Sequence, residues 1–165
     1  MTLSTDFSQA LNTQITLELQ AAIVYRQLAI EMAARDLVGM ASWFRAQSAE
    51  ELEHADKFIE HALDRDAHPS IGKILAPQLS VESPLDAFRM ALQHEEQVSA
   101  AIRELFRIAR EADDLDSLPL LHWFLEEQVE EEASVREIIG RLELVGDDGS
   151  GLLQIDAELG SRADS

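Results

Sequence analysis

Glu50-Glu51-Leu52-Glu53-His54 is the stretch on which the fold turns. On a helix, Glu51 and His54 stand three residues apart and project from one face. A carboxylate and an imidazole side by side suit a divalent transition metal such as iron, manganese or zinc. Such a pair alone carries little, because most Glu and His residues at helical spacing touch only water. Its weight comes from the apolar register around it. Leu37, Phe44, Glu51 and Phe58 recur every seven residues, so Glu51 takes a core position, and His54 falls on the adjoining core line with Met40 or Ala41.

The same interruption recurs in the segments on either side. A helix over about 4–35, opened by Ser4 or Thr5 as N-cap, repeats Leu11, Glu18, Tyr25 and Met32 every seven residues. Asp36 and Gly39 mark a tight join to the second helix, about 37–65. A third, about 84–111, begins well with Ser83 as cap and Pro84 as first helical residue, and repeats Phe88, Glu95, Ile102 and Ala109. After the turn Asp113-Asp114-Leu115-Asp116-Ser117, a fourth helix, about 117–145, carries Leu121, Gln128, Val135 and Leu142 on one line and Phe124, Glu131, Ile138 and Val145 on the next. Glu18, Glu51, Glu95 and Glu131 each lie near a helix midpoint, so four helices of similar length bring them to one level.

Between Ala67 and Ser83 helical periodicity stops, and Pro69, Gly72, Pro77 and Pro84 punctuate the stretch. About 17 residues can extend to roughly 55 Å, whereas a helix of about 28 residues is some 42 Å long. The segment can therefore return the full length of a bundle and set the second and third helices parallel. Beyond Gly146-Asp147-Asp148-Gly149-Ser150-Gly151, a short amphipathic helix over about 150–159 is too short to hold itself in water. It has to dock, either on its own bundle or on another subunit, and the second suits an appended apolar helix better. Gly160 to Ser165 reads as a frayed tail.

Composition agrees with an all-α chain folded as one domain over 1–165. Gly and Pro number only 7 and 4, and few residues are aromatic. The absence of cysteine removes disulfides, zinc–thiolate sites and iron–sulfur clusters. No basic leader and no apolar run of membrane-spanning length is present, which leads us to expect a cytoplasmic protein that spans no membrane. The formal charge of −19, from 32 acids against 13 bases, repels nucleic acids and anionic membrane surfaces and favours cations. Buried carboxylates at one level need cations, shared protons or bases. Arg45, Lys57, Arg103 and Arg136 lie off the core lines, so metal is the simpler compensation. An oxygen-rich set with one imidazole suits iron or manganese, and four carboxylates can neutralise two divalent ions.

The chain resembles the prokaryotic non-haem ferritins over nearly its whole length. The likeness is carried by Thr16-Leu17-Glu18-Leu19, Tyr25, Ala49-Glu50-Glu51-Leu52-Glu53-His54-Ala55, His94-Glu95, and Trp123 through Glu132. It implies a ferritin-like four-helix bundle with a long crossover between the second and third helices and a short fifth helix. It further implies a ferroxidase that oxidises Fe2+ with O2 or H2O2 and stores Fe3+ mineral in a homo-oligomeric cage of twenty-four subunits. By that resemblance Glu18, Glu51 and His54 hold one iron, and Glu51, Glu95 and Glu131 the other, with Glu51 bridging. Gln128 is a weak ligand or stands behind the ligands. Glu50, Glu127 and Glu130, with Glu131, match a third iron site, and Tyr25 matches a tyrosine able to donate an electron. Haem is not expected, because Leu52 and Glu127-Gln128-Val129-Glu130 stand where bacterioferritins carry a haem-ligating methionine and a second E-x-x-H. The acids lining the pore of animal ferritins align with Leu118 and Leu121. Asp113, Asp114 and Asp116 could funnel cations, though a solvated acidic turn is the simpler reading. His61, His68, His94 and His122 read as surface residues or residues behind the ligands, and Trp43 and Trp123 as packing. A di-iron oxidase or peroxidase not devoted to storage, and a non-catalytic acidic bundle, are the competing classes.

Overall fold

A computed structural model describes residues 2–162. Four long helices, α1 (Thr5–Ala33), α2 (Val38–Asp64), α3 (Pro84–Glu111) and α4 (Leu118–Val145), are followed by a shorter α5 (Gly149–Arg162); no strand occurs among the described residues. A single 3-10 turn (Leu115–Ser117) leads into α4. Gly160 continues α5, and of the expected tail residues 163–165 lie outside the described residues.

The helix ends follow from local chemistry. Ser4 Oγ accepts from Phe7 N at 3.2 Å and Ser83 Oγ from Asp86 N at 3.1 Å, so both serines cap their helices as their sequence context requires. At their C-termini α1, α2 and α3 use one device. Asp36, Asp66 and Asp113 take φ of 59°, 56° and 52°. The amide after each turns back to a carbonyl in the last turn: Leu37 to Met32, Ala67 to Ala62 and Asp114 to Ala109. Aspartate here takes the left-handed position that glycine usually fills.

The crossover lies along α1 in the direction of that helix. Ser70 N donates to Asn12 Oδ1, Gly72 N to Thr16 Oγ1, Leu75 N to Gln20 Oε1, and the Val81 carbonyl accepts from Arg35. The chain thus returns from the end of α2 to its start before α3 begins, and α2 and α3 run parallel. The seven-residue lines through Leu11, Leu37, Phe88 and Leu121 are buried inside the bundle. They form two apolar clusters. One gathers Tyr25, Met32, Phe44, Phe88 and Val135; the other gathers Phe7, Ile15, Phe58, Ile102 and Phe124. Phe44 and Phe88 stack with centroids 4.6 Å apart in the first, and Phe58 and Phe124 at 4.0 Å in the second. The glutamates fall between them.

α5 packs on its own bundle through buried Ile155 and Leu159. Its anchor is polar. Leu37, at the N-cap of α2, offers no side-chain acceptor, and buried Asp156 supplies it from α5: Oδ2 accepts from Gly39 N at 3.1 Å and Oδ1 from Met40 N at 2.8 Å. Gly39 is therefore not part of the α1–α2 turn, as its sequence position implies, but a helical residue over which α5 passes. A Cβ there would lie 1.7 Å from the Asp156 carbonyl oxygen. Asp156→Ala is expected to cost about 0.5–2 kcal/mol, the usual range for a lost cap, and Gly39→Ala to displace α5 altogether. Hydrogen exchange at the Gly39 and Met40 amides and protease sensitivity at 146–149 read both changes; unaltered protection in the two variants would contradict this anchor.

Candidate metal centre

Between the two apolar clusters lies a polar layer to which every long helix contributes. Glu18, Glu51, His54, Glu95, Gln128 and Glu131 are all buried, with exposures of 0–5%. Each occupies a core register position, so the folding that packs the aromatic residues also draws these groups inward. Glu18, Glu51 and His54 converge: one potential ligand atom from each lies within 4.8 Å of the others. His54 Nδ1 is 3.4 Å from Glu51 Oε2. Its ring meets Phe124 and Trp123 edge-on, with centroids at 5.4 and 5.7 Å.

Glu95 and Glu131 share the layer but lie outside this tight cluster, each held by neighbouring donors. Glu95 accepts from the Tyr25 hydroxyl on Oε1 and from Gln128 Nε2 on Oε2 at 3.0 Å. Glu131 Oε2 accepts from Gln47 Nε2 at 2.8 Å. Glu18 Oε1 accepts from Gln14 Nε2 at 2.6 Å, whereas its Oε2 is buried and meets no hydrogen-bond donor. Of the residues matched to a third site, Glu50 and Glu127 are half-buried and Glu130 is exposed.

Electrostatics follows from this crowding. Burial, and then the neighbouring Glu51, holds the Glu18 carboxyl well above its ordinary 4.5; burial and Glu95 do the same to Glu51. Glu95 is raised by burial against the opposing hydrogen bonds from Tyr25 and Gln128. Burial, Glu95 and Glu50 push Glu131 to about 8. Burial and Glu95 likewise raise the Tyr25 phenol, which keeps its proton and donates it. Without a cation, burial therefore favours the protonated form of these carboxyl groups. An oxygen-rich, partly protonated cluster around one imidazole, with an unsatisfied carboxylate oxygen, is chemically fitted to exchange protons for a divalent metal.

Several residues outside the expected ligands shape the layer. Gln14 and Gln47 stand four residues before Glu18 and Glu51, and Ser99 four after Glu95, a spacing that could have marked them. Buried Glu132 stands four after Gln128, so the same spacing could have marked it, although it lies off both core lines of α4. The other histidines separate: His68 and His122 are exposed, His94 is half-buried, and half-buried His61 places Nε2 2.8 Å from Ser117 Oγ. Asp114 departs from the solvated acidic turn read in the sequence. It is buried, 2.7 Å from Ser117 Oγ and 3.0 Å from Arg65 Nη2, and so braces the α3–α4 turn, while Asp113 and Asp116 remain exposed. Trp43 is a core residue, but Trp123 does more than pack, since it lies against His54 and under the Lys57 ammonium at 4.9 Å.

A bundle with a long crossover and a carboxylate–histidine layer at its waist belongs to the four-helix carboxylate proteins. Within that class the chain is a member of the ferritin family: residues 8–145 match the model of the ferritin-like domain. It is 36% identical over 160 residues to the bacterial non-heme ferritin of Staphylococcus aureus strain MRSA252, covering 97% of this chain and 96% of that protein. It is 34% identical over 161 residues to that of Staphylococcus haemolyticus, covering 98% and 97%. Among solved structures, an open-pore ferritin from the archaeon Archaeoglobus fulgidus superposes with a TM-score of 0.93 at 35% identity, covering 96% of each chain, and its engineered closed form with 0.94, covering 96% and 97%.

The raised carboxyl groups fix a pH dependence. An acid whose pKa is higher folded than unfolded stabilises the fold below its unfolded value, about 4.5, and that contribution is lost as pH rises through the folded value. Metal-free protein is therefore expected to melt at falling temperature between pH 4.5 and about 8, the position of Glu131. Divalent metal should flatten the slope, and Glu131→Gln should reduce it. A metal-free melting temperature that climbs over this range would contradict the assignment.

Proposed function

We propose that this ferritin oxidises ferrous iron at the polar layer and stores the ferric product inside a cage built from copies of the chain. The single observation carrying this reading is the convergence of Glu18, Glu51 and His54 within 4.8 Å in a polar layer buried between two apolar clusters. Iron is substrate and cargo here, so the layer has to bind it, hold it through oxidation and release it. Carboxylates suit that cycle because they accept both oxidation states and can move between terminal and bridging positions.

Glu18, Glu51 and His54 bind the first ferrous ion, displacing the protons that burial keeps on the acids. Glu95 and Glu131 bind the second, and Glu51 serves both. Two ferrous ions give two electrons, which reduce O2 with two protons to H2O2, or H2O2 with two protons to two waters. Tyr25 donates its hydroxyl hydrogen bond to Glu95, and so stands where it can supply a further electron and proton to this site. Gln128 holds Glu95. Glu50, Glu127 and Glu130, with Glu131, form a third, more open site through which oxidised iron leaves toward the cavity. Assembly into a twenty-four-subunit cage in the cytoplasm completes the proposal. No helix of the described residues is long and apolar enough to cross a membrane.

Ferrous ions added in air should be oxidised rapidly, and a mineral should be retained in a large particle. Monomers or dimers that retain no iron would refute storage. Glu51→Ala is expected to slow the fast phase by more than about 100-fold, beyond the usual effect of a residue standing behind a ligand, while the particle still assembles. Tyr25→Phe should slow or redirect oxidation by about tenfold with iron binding intact. Stopped-flow absorbance and particle sizing read both variants, and wild-type kinetics in either would remove that residue from the mechanism.

A further inference from the structure

Behind Glu95 runs a hydrogen-bonded chain whose direction is fixed at its far end. Gln128 Nε2 has three neighbours within donating distance: Glu95 Oε2 at 3.0 Å, the Glu95 carbonyl at 3.3 Å and Ser99 Oγ at 3.1 Å. The carbonyl only accepts, and so does the carboxylate oxygen when Glu95 is ionised as a ligand, so the amide nitrogen faces them. Ser99 Oγ is in turn 2.6 Å from Glu132 Oε1. Glu132 Oε2 is held by the guanidinium of Arg136, one turn further along α4. A carboxylate paired with arginine accepts and does not donate, so the Ser99 hydroxyl hydrogen goes to Glu132. That leaves Ser99 Oγ as an acceptor toward Gln128.

We infer that Ser99 and Glu132 are positioning residues for the metal centre: they fix the polarity of the Gln128 amide, so that Gln128 presents N–H to Glu95 and is kept from turning its oxygen toward the metals. Gln128 thereby holds Glu95 as a hydrogen-bond donor and not as a competing ligand. The burial of the whole chain gives the polarity force. Ser99 is 0%, Gln128 3% and Glu132 8% exposed, and a buried amide turned oxygen-first against a carboxylate would face acceptor with acceptor. The inference rests on the reading of Glu95 as an iron ligand.

Glu132→Gln tests it with little change of shape. Because Arg136 only donates, the new side chain has to turn its oxygen to Arg136 and its NH2 to Ser99. The Ser99 hydroxyl is then free to donate to Gln128, and the amide can reverse. Ser99→Ala removes the link, and Ser99→Thr retains the hydroxyl. The metal-free full chain is titrated with Co2+, followed by its visible absorption, and Fe2+ oxidation is measured in parallel. Wild type should bind two Co2+ per chain in the layer. In Glu132→Gln and Ser99→Ala the weaker Co2+ should bind about tenfold less tightly, in the range for residues behind a metal ligand, with an altered spectrum. The tighter Co2+ should be unchanged and Ser99→Thr close to wild type. The half-saturating Fe2+ concentration should rise while the rate at saturating Fe2+ is retained, a split that general loss of packing would not give. Two wild-type-like Co2+ sites in both variants would overturn the inference and leave the proposed function standing. Wild type binding one Co2+ or none in the layer would instead overturn the reading of Glu95 on which the inference depends.

Discussion

Four glutamates at one level inside an apolar bundle are the constraint to which the rest of the structure answers. An isolated ionised carboxylate in such a place costs several kcal/mol after relaxation, and four together repel. The chain meets this by splitting its core. Phenylalanine stacks on both sides of the layer, Phe44 on Phe88 and Phe58 on Phe124, hold the helices together independently of the acids. The layer can then change its protonation or its metal content while the apolar halves keep the four backbones in place. The upward shift of its carboxyl pKa values is therefore a consequence of where the acids stand.

The donors around the layer are few and unevenly placed. Gln14 serves Glu18, Gln47 serves Glu131, and Tyr25 and Gln128 both serve Glu95. No comparable donor is matched to Glu18 Oε2. The first cluster is thus under-satisfied and tight, while the second pair of acids is better satisfied and more spread. A cation entering the layer gains most where hydrogen bonding is poorest. Under the proposed function, that asymmetry makes Glu18, Glu51 and His54 the tighter of the two iron positions.

The fold was legible because its signals are repetitive. Leu11, Phe44, Phe88 and Val135 recur at sevens with their neighbours, Ser83-Pro84 opens a helix unambiguously, and the 17-residue interruption is long enough to return the length of the bundle and set α2 and α3 parallel. The level of Glu18, Glu51, Glu95 and Glu131 was legible for the same reason. Features that depend on tertiary contact were not. Gly39 reads as a turn residue because nothing local reveals that α5 crosses it, and Asp114 reads as solvated because its partner Arg65 lies 49 positions away. Glu132 escaped notice because it lies off both seven-residue lines of α4, and its hydrogen bond to Ser99 of α3 is a tertiary contact. Local pattern therefore recovers which residues face the core, while polar contacts between helices have to be seen.

The crossover has a chemical consequence beyond topology. It places α3 beside α1, where Tyr25 meets Glu95, and leaves α2 to face α4, where Gln47 meets Glu131 and Phe58 stacks on Phe124. Side chains on a helix lean toward its N-terminus. With α2 and α3 parallel, Glu51 and Glu95 lean the same way along the bundle axis, while Glu18 and Glu131 lean the other. A short turn between α2 and α3 would still bring the helix midpoints together but would change which acids lean alike. The long, proline-punctuated crossover, fastened to α1 through Asn12, Thr16 and Gln20, is thus part of what sets the shape of the carboxylate layer, although none of its residues belongs to that layer.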